Sequence, residues 1–184
     1  SMFLNATMGW PAPPSADLYA GGPGSPLSSL GVRLRIRPID ALTLLAGVFD
    51  DNPPGGALQN DSQLRGAERY GVLFNLSTGA LAIIEMQYAA TPVLPGTYKL
   101  GAWLDSGRFA DQRFDNVGLS LANPASSGAA RWHQHDYGIY AVIDQTIWQP
   151  DLKQPRAIAV FARPTWTPAD RNLADLSLDA GVTI

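Results

Sequence analysis

Residues 31–50, GVRLRIRPIDALTLLAGVFD, alternate with a period of two: Val32, Leu34 and Ile36 fall on one side of an extended chain, Arg33, Arg35 and Arg37 on the other. Pro38-Ile39-Asp40-Ala41 interrupts the alternation, and Leu42, Leu44, Ala46 and Val48 resume it, which predicts an antiparallel hairpin with a short turn. The same period runs through the chain to its last residues, where Leu176, Leu178, Ala180, Val182 and Ile184 alternate with Asp175, Ser177, Asp179, Gly181 and Thr183. About eight strands are predicted, over 3–10, 32–37, 42–50, 80–90, 97–106, 132–148, 156–165 and 173–184, with 70–77 as an extension of the fourth. Within 132–148 the register that turns Asp144 inward also turns Trp148 inward, which a bulge or a slipped strand assignment would explain.

The connections are sorted by length. Residues 38–41, 91–96 and 149–155 are short; 11–31, 51–69 and 107–131 are long; 167–172, which should be long, has only about six residues and departs from the rule. Turns at one end and loops at the other are the habit of a membrane barrel, and the strand lengths suit a tilted crossing of about 9 to 11 residues. The expected fold class is therefore all-β, an antiparallel transmembrane β-barrel segment of about eight strands. The alternative is a soluble β-sandwich that binds carbohydrate, with its apolar faces packed on each other.

Composition narrows the choice. The chain has 18 Gly and 15 Pro, only 16% charged residues and no Cys, which argues against a helical protein and removes disulfides and thiolate metal sites. A net charge of −3 without a block of five Lys or Arg gives no support to a nucleic-acid partner. The apolar runs are far short of the roughly 18 residues of a membrane helix. Trp10, Tyr88, Tyr98, Tyr137, Trp148 and Trp166 fall at predicted strand ends, as in the aromatic girdles of a membrane barrel.

On the polar face the strands place Arg33, Arg35, Arg37, Lys99 and Arg163 against Glu85, Asp105, Asp144, Asp175 and Asp179. Five of each sign do not make a filter for ions of one charge. Together with Trp103 and Tyr140 on the same face, they offer donors, acceptors and flat apolar rings, which suit a neutral polyol such as a sugar. Each arginine can either touch the solute or brace the wall by pairing with a carboxylate. His133-Gln134-His135 puts two imidazoles on one strand face beside Asp136, but no third ligand motif accompanies them, and no metal or other cofactor is expected. Asp50-Asp51-Asn52 and Asp105-Ser106-Gly107 read as turn polarity rather than an ordered calcium loop. Asp175 and Asp179, four residues apart on a strand, lie about 13 Å apart, too far for a glycosidase pair. There is no nucleophile elbow or phosphate-binding loop, so an enzyme is not expected.

The segments FLNATMGWPAPPSADL, GVRLRIRPIDALTLLAGVFDDNP, LPGTYKLGAWLDSGRFADQR, DYGIYAVIDQTIW and DRNLADLSLDAGVTI resemble the carbohydrate-selective outer-membrane porins (OprB-like) over essentially the whole chain. That resemblance implies a sixteen-stranded barrel in the outer membrane of a Gram-negative bacterium, letting glucose and related sugars diffuse inward without energy coupling. It also implies that 1–184 is one mid-to-late segment of the barrel, with strands missing at both ends. Pore-lining residues on this reading are Arg33, Arg35, Arg37, Glu85, Lys99, Trp103 and Asp105, with Arg33, Arg35, Glu85 and Lys99 assigned to the constriction. The implied partners are mono- and oligosaccharides and outer-membrane lipid; a homotrimer, usual for general porins, is the assembly to test.

Overall fold

The computed structural model describes residues 12–19, 22–23, 29–53, 78–90, 93–151 and 156–184. The predicted strand at 3–10 and the extension at 70–77 lie outside them. A short helix α1 (Ala12–Asp17) precedes seven strands: β1 (Gly31–Ile39), β2 (Leu42–Asp50), β3 (Ala80–Ala90), β4 (Gly96–Asp115), β5 (Ala130–Trp148), β6 (Ile158–Trp166) and β7 (Leu176–Thr183). They form one antiparallel sheet in sequence order, each strand beside its chain neighbour, and the sheet is not closed on itself.

Residues paired across an antiparallel ladder share a face. The observed pairs Leu34 with Ala46, Leu44 with Met86, Ala46 with Ile84, Ile84 with Ala102, Leu100 with Ala141 and Ala102 with Ile139 therefore build one continuous apolar face. Ala162 with Ala180 and Val160 with Val182 carry it to the far edge. This face is uncovered: Val32 is 77% exposed, Ile84 62% and Leu178 65%. A sandwich would bury these side chains against a second sheet. The described residues contain one sheet only, so the soluble-sandwich alternative does not describe this molecule.

Short connections at 40–41, 91–95 and 149–157 lie at one end, and 51–79, 116–129 and 167–175 at the other, as expected from the sequence. One boundary needs correction. Residues 107–131 are not a free loop, because β4 and β5 run on for 20 and 19 residues and reduce the connection to 116–129. At about 3.3 Å per residue β4 is roughly 66 Å long, about twice the length of β1 or β6, so its upper half stands beyond the other strands. The expected alternation fails at that point because the ladder shifts between Asp105 and Arg108, opposite His135 in the left-handed region (φ 64°). A second shift, between Thr146 and Trp148, pairs Trp148 with Ile158 on the apolar face. This is the bulge required to reconcile Trp148 with Asp144.

Leu18 and Tyr19, just after α1, cover the polar face at the loop end. Leu18, Leu81, Trp103 and Phe109 form a small buried cluster, edged by Tyr19, Ile83 and Tyr140. Tyr19 stacks on Phe109 at 4.9 Å between centroids, its hydroxyl donates to the Arg108 carbonyl, and Asp17 Oδ1 accepts from the amides of Leu173 (2.8 Å) and Ala174 (3.4 Å). The 12–19 segment thus ties the β4 extension to the connection before β7.

A charge placed on the apolar face tests what covers it. Ile84→Arg, in the middle of β3, should cost about 2–4 kcal/mol when the intact barrel is unfolded by denaturant in lipid vesicles, the cost of a basic side chain near the bilayer midplane. A loss below about 0.5 kcal/mol, ordinary for a water-exposed surface, would mean that this face does not meet hydrocarbon.

Candidate functional site: the polar wall

The polar face is built from transverse rows. Arg35, Leu45, Glu85, Gly101, Tyr140, Thr165 and Ser177 are successive partners across all seven strands. Toward the loop end lies the row Arg33, Gly47, Ile83, Trp103 and Gly138; toward the turn end lie Thr43, Gln87, Lys99 and Val142.

Glu85 sits near the centre of this wall. The Tyr140 hydroxyl donates to its Oε2 at 2.6 Å, and the Gln87 amide donates to Oε1. Both donors are neutral, so the carboxyl group is oriented without an ion pair among the described residues. Arg33, Leu45, Gly47, Phe49, Glu85 and Tyr140 border a cavity of about 170 Å³ in the wall. Among the described residues neither Arg33 nor Arg35 enters an ion pair. Arg163 braces: its guanidinium lies 3.5 Å from Asp144, stacks over Phe161 at 5.3 Å and pairs across the ladder with Asp179. Arg37 turns back on its own hairpin, donating to the Asp40 carbonyl at 3.0 Å. Arg33 and Arg35 show neither arrangement among the described residues.

Two expected lining residues are placed differently. Trp103 is 5% exposed, covered within the Leu18 cluster, and Asp105 is fully buried, its Oδ1 accepting from the Gly107 amide at 2.8 Å. The 12–19 segment covers them, and strand alternation gives no sign of a loop folded back onto the wall. Asp50 likewise accepts from the Asn52 amide at 3.1 Å, so both acidic motifs are turn-forming. His133 Nε2 lies 2.9 Å from Asp111 Oδ2, and among the described residues no group of three or more metal-ligand side chains occurs. Sequence reasoning placed Tyr140 on this face but not among the site residues, and passed over Gln87; the parity that selects Glu85 also selects Gln87.

Among the described residues, four aromatic rings of the spanning part of this wall pair with glycine. Phe49 faces Gly31, Trp103 faces Gly138, Tyr140 faces Gly101 and Phe161 faces Gly181. A Cβ on Gly138 would meet the Trp103 indole nitrogen at 2.7 Å, and one on Gly181 the Phe161 ring at 2.7 Å. Each ring therefore lies along the sheet over a partner with no side chain. This keeps the wall thin and brings the Tyr140 hydroxyl to Glu85.

A single sheet, apolar and uncovered on one face and mixed-charge polar on the other, is the wall of a membrane β-barrel with an aqueous interior. The chain belongs to the carbohydrate-selective porin family (OprB family), whose model matches residues 1–184. Membership implies an outer-membrane protein of Gram-negative bacteria. A structure of Pseudomonas putida OprB determined at high pH superposes with a TM-score of 0.75 at 22% identity, covering 89% of this chain and 37% of that one. The chain thus spans little more than a third of that protein's length, and the likeness shows the fold. No curated protein matches the sequence.

Two outcomes test the site. Gly101→Ala should displace the Tyr140 ring, cost about 1–3 kcal/mol as overpacking does, and raise the half-saturation for solute, whereas Tyr140→Phe should weaken solute binding with a smaller loss of stability. Equal stability of Gly101→Ala and wild type would show that the ring does not need the bare glycine. The second concerns pH. Burial, reinforced by the Asp136 and Asp175 carboxylates and opposed by the two amide hydrogen bonds, pushes the Asp17 carboxyl up to about 6 from its usual value near 4. The docked state binds this proton more tightly than the undocked one, so docking is strongest below pH 4 and weakens as pH rises toward 6. Spin labels at Ser15 and Leu173 should show a broader distance distribution at pH 7 than at pH 4, with the change lost in Asp17→Asn; identical pH responses in both proteins would remove Asp17 as the cause.

Proposed function

We propose that this chain contributes part of the wall of a sixteen-stranded outer-membrane channel through which glucose and related mono- and oligosaccharides diffuse passively, with Arg33, Arg35, Glu85 and Lys99 contacting the sugar. The observation that carries this reading is the state of Glu85: a carboxylate held in place by two neutral donors, bordering one cavity with Arg33, which like Arg35 enters no ion pair among the described residues. A passing hydroxyl can donate to Glu85 and accept from Arg33 or Arg35, exchanging water hydrogen bonds for protein ones at little net cost. Mixed sign favours a neutral solute over an ion. No step breaks a covalent bond, so no catalytic group is assigned. Lipid acyl chains are the partner of the apolar face, and a homotrimer would replace them on part of it; a detergent-corrected mass measurement reads the number of copies.

The test is swelling of liposomes carrying the intact porin, in glucose and in a charged solute of similar size. Glucose should enter faster, with longer sugars competing. Arg33→Ala with Arg35→Ala should raise the half-saturation for glucose about tenfold while leaving the unfolding midpoint within about 0.5 kcal/mol of wild type. Collapse of stability with unchanged flux in the surviving barrels would mean that these arginines brace the wall; no selectivity for glucose would refute a sugar channel.

A further inference from the structure

Beside α1, where the β4 and β5 extensions rise above the other strands, lies an open pocket of about 590 Å³, bordered by Asp17, Tyr19, Arg108, Gln112, Trp132 and Arg171. This is within the range of about 300–1,000 Å³ typical of small-molecule sites. It is separate from the Glu85 wall and shares none of its residues.

The groups around it are those a neutral polyol requires. Trp132 is 56% exposed and carries the Arg108 guanidinium at 5.7 Å from its ring centroid. A cation over an indole is held in place while its outward N–H groups stay available, and Arg108 has no ion pair among the described residues. Asp17 uses one oxygen to hold the Leu173 and Ala174 amides, while Oδ2 is without a hydrogen-bond partner among the described residues. Gln112 Nε2 bonds the Arg171 and Ala110 carbonyls (3.4 and 3.2 Å), leaving its amide oxygen as an acceptor. Arg171 is spent on structure, with Nε and Nη2 on Asp170 and Nη1 on the Gln134 and His135 carbonyls. It shapes the pocket rather than recognising a ligand.

An anion such as a lipid phosphate would meet Arg108 but also Oδ2 of Asp17, which has no partner among the described residues. A hydroxyl satisfies both, donating to Asp17 and accepting from Arg108, and the Trp132 ring offers an apolar surface for a C–H face.

We infer that this pocket is a second sugar site at the loop-end mouth of the channel, binding one hexose unit of a mono- or oligosaccharide before it reaches the Glu85 wall. The inference rests on the proposed sugar channel and adds a site to it.

The experiment is block of ion current through the intact porin in a planar bilayer, with glucose or maltotriose added to one side at a time. Trp132→Ala, and separately Asp17→Asn, should raise the half-blocking concentration about five- to tenfold for sugar added on the loop side, leaving salt conductance and block from the turn side unchanged. Wild-type values in both variants, with sugar still blocking, would overturn this site and leave the channel reading intact. An equal rise from both sides would place the loss at the constriction and overturn it too. No block of the wild-type channel by any sugar would refute the channel reading and this site together. Asp17→Asn removes no ring from the sheet, so it carries the test should Trp132→Ala fail to fold.

Discussion

Strand register is the constraint on which everything else in this molecule depends. Side chains alternate with a period of two, so a slip of one residue between any pair of strands would send Ile84 and Leu100 to water and Glu85 and Lys99 to the apolar side. No thick core holds the register, because one face has nothing packed on it and only a small cluster is buried on the other. The cross-strand pairs themselves must do it. The glycine and aromatic partners suit that task, since a ring lying flat fits over Gly101 or Gly138 and not over the residues on either side.

The wall is uneven along its length. Its middle is open, with Glu85 oriented by Tyr140 and Gln87. Its loop end is covered by the 12–19 segment, which buries Trp103 and Asp105 and attaches through Tyr19 to β4 and through Asp17 to the connection before β7. Such an attachment rests on few contacts: one stacked ring pair and a handful of hydrogen bonds. It is weaker than the ladders beneath it and belongs to the low-stability part of the structure.

Much of the sheet was legible in the sequence. For strands such as β2 and β3 the alternation gave both boundaries and facing, because a single periodic signal dictates both. Trp148 shows how far that logic reaches: its conflict with Asp144 left a bulge or a slipped assignment open, and the ladder contains the bulge. What alternation could not report was contact between segments remote in sequence. Trp103 looked like a lumen platform because nothing local says that Leu18 lies on it, and 107–131 looked like a loop because the bulges around Arg108 and His135 break the period just where β4 and β5 lengthen. Arg37 was misleading for another reason: its parity is right, but the turn at Asp40 captures its guanidinium. The site was thus readable as a face and not as a set of individual roles.

The glycine and ring pairs also constrain how this sequence can change over evolutionary time. Gaining a methyl at Gly138 while Trp103 remains, or shrinking Trp103 while Gly138 remains, gives a clash in one case and a thin, unprotected stretch of backbone in the other. Only the joint exchange keeps the wall filled, so each intermediate carries a penalty that its second step removes. Pairs such as these are expected to be inherited as units, drifting together or not at all, while the outward apolar positions exchange freely among Leu, Ile, Val and Ala.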